Sequence, residues 1–405
     1  MSEATATVTY ADVWRNKTFS KLWIGQALSY VGDALSSIAL PLYTLRVTGD
    51  VRALGIVFAL QQLPWIFASP FAGVLADRLS RKRILLLTAL VQSFCIIAVG
   101  FVSNVWFIYL LTLGGAIAYV FHISARAAAV PDLIPHTLYP KAVSIQGITA
   151  NVTDIIGVVL GGFLAVLFGE QLIFWFDGVS FLLSSLLLMT ITFPKTHSKE
   201  VKVRLWEDWR RGAGLLRTDT RLGLLVAIMM IRGATIIGIL PLVPAFIEQD
   251  LKLSAWAFGV STALFSAGLA ISTWLSIRWE AVFTPQRVLV WGSLCASLCF
   301  VPIAMLQTSG TFMTFYAVCA LFYGAGNITA NILIARLSPS DMRGRVSSTS
   351  WMMIKSAQAL SSIVYAQLAA LVSISGVMLL AAFLALLLCL VVAFYWPQQT
   401  HLGTN

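Results

Sequence analysis

Twelve runs of mostly apolar residues, each long enough to cross a lipid bilayer as a helix, recur along this 405-residue chain. A crossing helix needs about 20 such residues. The runs lie near 19–45, 53–76, 84–102, 105–128, 143–168 and 171–193, then 222–247, 255–278, 287–306, 311–335, 347–372 and 375–396, spans 1 to 12 in chain order. Hydrocarbon offers no partner for a backbone N–H or C=O, so such runs fold as helices that bond internally. Pro41, Pro64, Pro70, Pro241 and Pro244 sit inside the runs, where neighbouring helices can satisfy the groups that proline frees. Composition points the same way. Hydrophobic residues make up 59% and charged residues 11% of the chain, against roughly 25% charged in ordinary soluble domains. A mean hydropathy of +0.86 is more than a water-soluble core of this size could hide.

The net charge of +10 does not indicate nucleic acid, because the basic residues lie between apolar spans and not on one polar domain. Their distribution sets orientation instead. Arg15, Lys17, Lys21, Arg78, Arg81, Lys82, Arg83, Arg126, Lys141 and a large central group fall on one side, against Arg46, Arg52 and Lys252 on the other. Both termini are therefore expected in the cytoplasm. The N-terminal segment has no signal-peptide core, so span 1 is expected to remain as a membrane helix. The polar stretch Lys195 to Arg221 divides the spans six and six. Its Leu205, Trp206 and Trp209 suit an amphipathic helix at the membrane surface, and a solvated linker is equally compatible. The expected organisation is an all-α membrane protein: a cytoplasmic segment 1–18, a six-helix bundle 19–193, a linker 194–221, a second bundle 222–396 and a cytoplasmic tail 397–405.

The five cysteines all fall in apolar runs without metal-ligand spacing, so neither a metal site nor a disulfide framework is expected. There is no HExxH, no Ser/His/Asp cluster in register and no nucleotide-binding loop. No enzymatic activity and no cofactor are therefore expected, and ATP-driven transport by this chain alone is excluded.

The two halves repeat. Leu40–Leu42 and Leu240–Leu242 are both LPL; at the same offset Leu75 and Arg78 meet Leu275 and Arg278. Pro135 and Lys141 meet Pro339 and Arg345 at a slightly larger offset. Between spans 2 and 3 runs GVLADRLSRKR, Gly73 to Arg83. It resembles the loop 2–3 signature of the major facilitator superfamily, G-x-L-a-D-r-x-G-r-k, with Gly73, Leu75, Asp77, Arg78, Arg81 and Lys82 matching and Ser80 replacing the second glycine. PSDMRGRVSS, with Arg343 and Arg345, is similar to the segment before span 11 in the branch of macrolide efflux proteins and enterobactin-type siderophore exporters. FSKLWIGQALSYVGDAL from Phe19 and FDGVSFLLSSL from Phe176 resemble spans 1 and 6 of that branch. The resemblance implies twelve transmembrane helices in two pseudo-symmetric six-helix bundles. It implies that Asp77 accepts hydrogen bonds near the positive N-terminal end of span 11, and that Gly73 lets spans 2 and 11 approach closely. This contact would hold while the site faces outward and break when it faces inward. Capping within its own loop is the plainer role for Asp77.

Polar residues inside spans are costly and ordinarily face a cavity or a partner. Gln26, Tyr30, Asp33 and Ser37 form one stripe along span 1. Asp33, near its middle, is a proton-coupling candidate; a structural aspartate bonded to neighbouring helices is the alternative. GDAL at Asp33 also resembles lysophospholipid transporters, so this residue does not select the substrate. Arg232, deep in span 7, is expected to pair with Asp33 or Asp154. Asp154 and Asn151 share a face of span 5. Gly157 to Gly162, GVVLGG, is similar to the antiporter motif of that span, but Val158 replaces its proline, and the glycines equally suit close helix packing. His122 and Arg126 share a face of span 4, for gating, an anionic substrate or local bonding. Asn327 and Asn331 on span 10, and Lys355 and Gln358 on span 11, are further cavity candidates, with Gln61. Tyr30, Trp65, Tyr119 and Tyr323 could wall an amphipathic ligand, although aromatics also serve as interface anchors.

The leading expectation is a monomeric, proton-coupled exporter of an amphipathic small molecule (drug, macrolide or siderophore type) in a bacterial inner membrane. Its partners are substrate, protons and membrane lipids, and not nucleic acid. A lysophospholipid translocator or importer of the same fold, and outside transport a membrane sensor, are the alternatives.

Overall fold

A computed structural model describes residues 9–69, 71–72, 75, 79–135, 137–193, 205–339 and 342–395. A short amphipathic helix, α1 (Tyr10–Arg15), precedes α2 (Lys17–Thr48), α3 (Val51–Phe67), α4 (Arg81–Val99), α5 (Val105–Leu133), α6 (Tyr139–Phe168) and α7 (Glu170–Met189). There follow α8 (Leu205–Thr218), α9 (Thr220–Thr235), α10 (Ala255–Val282), α11 (Pro285–Leu298), α12 (Phe300–Leu306), α13 (Ser309–Leu337), α14 (Arg343–Leu371) and α15 (Ile374–Tyr395). Each expected span coincides with a helix in whole or in part. Among the described residues 8 helices are long and apolar enough to cross a membrane, and Val51–Phe67 and Ile374–Leu387 are shorter apolar helices. α2, with 32 residues, and α14, with 29, have the length, but their polar stripes lower their hydropathy. Large apolar side chains such as Phe94, Trp106, Leu110, Leu167 and Phe383 are exposed, as lipid-facing side chains are.

Span 7 departs from a single regular helix. After α9 come a 3-10 stretch (Ile237–Leu242), one α-helical turn (Val243–Ala245) and a π-helical stretch (Phe246–Asp250). Pro241 and Pro244 lie within it. Each removes a backbone donor and crowds the preceding turn, and the backbone changes pitch to keep its carbonyls bonded. Span 9 is likewise divided, into α11 and α12.

The chain forms two compact units, residues 1–47 with 67–203, and residues 48–66 with 204–405. In the first unit small residues set the packing. A β-carbon on Gly157 of α6 would lie 2.5 Å from that of Ala34 on α2, and one on Gly161 would lie 3.1 Å from the Leu35 carbonyl. The glycines of GVVLGG thus bring α6 onto α2, the close packing that small residues permit between membrane helices. Ser93 of α4 donates to the Gly178 carbonyl of α7 at 2.7 Å, and Arg46 pairs with the buried Glu170 at 2.7 Å, fixing the end of α2 to the start of α7.

In the second unit α3 packs on α14. A β-carbon on Gly55 would sit 2.5 Å from Ala366 Cβ and from the Ser362 carbonyl, and Ser362 Oγ donates to the Gly55 carbonyl at 3.2 Å. These helices carry spans 2 and 11, which sequence analysis expects to meet through Gly73. Gly73, Asp77 and Arg78 themselves lie outside the described residues. The linker holds α8, whose Gly212 abuts Thr349 and the Arg345 carbonyl of α14 and whose Leu216 joins the core of α9. Asp219 then caps α9, accepting from Arg221 N at 2.9 Å and Leu222 N at 3.2 Å.

Candidate functional site

The stripe on α2 converges with α5 in the first unit. Tyr119, His122 and Arg126 follow one another at helical spacing on α5, so their side chains stand on one face. The Arg126 guanidinium lies 5.4 Å from the centre of the Tyr30 ring, a cation–π contact, and its charge acts on Asp33. The charges of Asp33 and Arg126 also reach Tyr119. An isolated carboxylate or guanidinium in an apolar span is costly, and a pair offsets much of that cost. Of the stripe, Gln26 is buried, with neither amide atom hydrogen-bonded to protein. Ser37 spends its hydroxyl on the Ala34 carbonyl of its own helix, at 2.7 Å.

His122 is turned toward α4. Its Nδ1 lies 3.0 Å from Thr88 Oγ1. The Thr88 hydroxyl also stands 2.8 Å from the Ile84 carbonyl of its own helix. This histidine joins α5 to α4 beside the arginine. Asn151 and Asp154 are exposed on α6.

Sequence reasoning passed over Asp177. It lies on α7, 2% exposed. Its Oδ1 rests against Gly32, the residue before Asp33, and the charge of Asp33 reaches it. The signal was an acid inside the apolar run FDGVSFLLSSL, which served only as a mark of resemblance.

In the second unit Arg232 is 3% exposed at the end of α9. Its guanidinium lies 4.9 Å from the centre of the Tyr323 ring and donates to the Tyr323 carbonyl. Gly326, one turn on along α13, leaves the space that the guanidinium fills. Asn331 donates its amide to the Asn327 carbonyl at 3.0 Å and Gln358 of α14 is buried against Gly233, while Gln61, Trp65 and Lys355 are half-buried.

The basic loop residues cap helix ends within the first unit. Arg81 donates to the Ala128 carbonyl at 2.8 Å and pairs with Asp132 in the last turn of α5. Lys82 donates to the carbonyls of Met189 at 2.7 Å and Ile191 at 2.8 Å. Cations belong at the carbonyl ends of helices, where the dipole is negative. Arg343 begins α14, and Arg345 contacts Met342 Sδ at 3.5 Å.

Known proteins share this plan. The family model described as Major Facilitator Superfamily matches residues 22–361 and 225–404. The uncharacterized MFS-type transporter YfiS of Bacillus subtilis is 25% identical, over 87% of this chain and 86% of that protein. The multidrug resistance protein MdtG of Serratia proteamaculans is 28% identical over 73% of each chain. Macrolide efflux protein A of Streptococcus pyogenes is 22% identical, over 76% of this chain and 77% of that one. Among solved structures, the nucleoside transporter NupG superposes with a TM-score of 0.78 at 14% identity, covering 94% of this chain and 100% of its own. A helical chain with polar and charged residues gathered inside apolar bundles, matched by that model over most of its length, belongs to the Major Facilitator Superfamily, whose members are membrane transporters and not enzymes.

Proposed function

We propose that this transporter exports an amphipathic small molecule of the drug, macrolide or siderophore type in exchange for protons entering the cell. The observation that carries the reading is the cluster of Asp33, Arg126, Tyr30 and Tyr119 inside an apolar bundle. It unites a group that can take up a proton, a cation that competes for it, and aromatic surface. The relatives named for multidrug resistance and macrolide efflux support the direction and the substrate class.

In the proposed cycle, two bundles of residues 19–193 and 222–396, joined by the linker 194–221, rock about a midplane site. Segments 1–18 and 397–405 lie in the cytoplasm of a bacterial cell, the protein sits in the inner membrane, and it works as a monomer. Protonation of Asp33 releases Arg126 from its charge, and substrate arrival or bundle movement reverses this. Asp154 is the alternative proton carrier. Gln26, Tyr30, Trp65, Tyr119, Tyr323 and Asn327 contribute cavity surface. Gly73, Asp77 and Arg78, with Arg81, Lys82, Arg343 and Arg345, form the cytoplasmic gate.

The test is flux of ethidium and of erythromycin from proteoliposomes, with and without an imposed pH gradient. Export predicts accumulation against the concentration gradient only when the pH gradient is present. Transport of lysophospholipid in place of both probes, or flux indifferent to the gradient, overturns the reading.

A further inference from the structure

The proton-binding cluster contains a second carboxyl group. Asp177 is as deeply buried as the hydrophobic core around it, 2% exposed. Its Oδ1 occupies the hollow left by the missing side chain of Gly32, and Ser180 Oγ crowds the same hollow. Ser180 lies 2.7 Å from the Asp177 carbonyl but 3.5 Å from the carboxyl. The hydroxyl proton is therefore committed to the backbone, and Ser180 gives the carboxylate little. Ser36, one turn beyond Gly32, borders Asp177 as well.

The groups facing the pair come from three elements. α2 presents Asp33 and Tyr30, α5 presents Arg126 and Tyr119, and α4 presents Ser93 and Ile97 against the neighbouring Gly178. The Arg126 guanidinium acts on Asp33, and the charge that reaches Asp177 is that of Asp33. Two negative charges around one positive charge leave a net charge in an apolar medium, which is costly. One bound proton removes it.

We propose that Asp33 and Asp177 form a single proton-binding unit bridging α2 and α7. Asp33 is its half-exposed member, through which protons enter and leave, and Asp177 is its buried member, which holds the proton when Arg126 claims Asp33. The proton moves between two carboxyl oxygens of the same unit, and no other reactant is needed. The inference rests on the proton-coupled reading above and adds a residue outside the stripe on span 1.

The test is infrared pH-difference spectroscopy of the full-length protein, without substrate, following the C=O band of protonated carboxyl groups. Wild type is compared with Asp177→Asn, Asp33→Asn, the double variant and Asp177→Glu. Groups of one unit titrate together. Each single asparagine variant should therefore move the midpoint of the remaining carboxyl by more than about one pH unit. The double variant should lose the transition, and Asp177→Glu should keep two coupled carboxyls. A wild-type midpoint in both single variants, or a band unaffected by Asp177→Asn, overturns the proposal. If Asp177→Asn fails to fold, Asp33→Asn leaves Asp177 in place and its midpoint decides. Coupled titration in a protein whose ethidium flux ignores the pH gradient would uphold the dyad while removing the export reading.

Discussion

A β-carbon at residue 326 has no room, because the guanidinium of Arg232 fills the place where it would lie. Glycine on α13 is thus the condition for a buried arginine on α9. Gly326→Ala should push Arg232 off the Tyr323 ring and destabilise the second unit by roughly 1–3 kcal/mol, the usual cost of overpacking a tight core. Thermal unfolding in detergent reads the loss. A midpoint equal to wild type would show that the arginine can sit elsewhere at no cost.

Asp33→Asn cannot ionise but keeps nearly the same shape. It should abolish ethidium accumulation driven by a pH gradient while preserving part of the downhill flux. Proteoliposome flux with and without the gradient separates these outcomes, with Asp154→Asn run in parallel. Full gradient-driven transport by the Asp33 variant would make Asp33 structural.

Arg126→Lys retains the charge but loses the planar group that lies over Tyr30. Arginine and lysine are not equivalent at a stacked site. The expected effect is loss of a cation–π contribution of about 0.5–2 kcal/mol, seen as lower stability together with altered pH dependence of transport. Arg126→Lys with wild-type stability and pH dependence would remove Tyr30 from the cluster.

Lys82→Met should act on stability and not on substrate binding. Lys82 donates to the carbonyls of Met189, the last residue of α7, and of Ile191 just beyond it, and each such bond contributes about 0.5–1.5 kcal/mol, more when charged. Ethidium affinity should remain at the wild-type value. Asp77→Asn, in the same proposed gate, should slow transport with affinity likewise largely intact, because a gate sets rates. Equilibrium binding alongside initial rates distinguishes the two.

α1 carries a pH dependence of its own. Asp12 accepts hydrogen bonds from Thr9 N at 2.8 Å and Thr9 Oγ1 at 2.7 Å. These bonds, and then Arg15 at 3.6 Å, hold its carboxyl below the usual carboxylate range. A depressed folded-state value stabilises the helix above the unfolded value, about 3.9. That stability is lost as pH falls through the folded value. α1 should therefore be intact at neutral pH and fray only in acid, below about pH 4. Trp14 fluorescence across an acid titration, against Thr9→Ala, reads the transition.

The spans were legible because hydropathy is a local property and hydrocarbon leaves the backbone no other fold. The stripe from Gln26 to Ser37 was legible because helical spacing alone puts its members on one face. What sequence does not carry is which face meets which. Arg232 invited pairing with Asp33 or Asp154, yet in the first unit the cation whose charge reaches Asp33 is Arg126, which had been weighed for gating, an anionic substrate or local bonding. Asp177 was missed for the same reason: an acid in an apolar run announces a partner without naming it. The division of span 7 was hidden differently, since prolines in a membrane helix are compatible with either a kink or a change of pitch.

That change of pitch gives the chain slack. A residue in a 3-10 helix advances about 2.0 Å against about 1.5 Å in an α-helix. The six residues Ile237–Leu242 thus span about 12 Å where regular winding would need about 9 Å. Rewinding this stretch as α-helix would draw the two ends of span 7 together by about 3 Å. The segment is in effect a spring in series with the helix, and length can be exchanged for twist there.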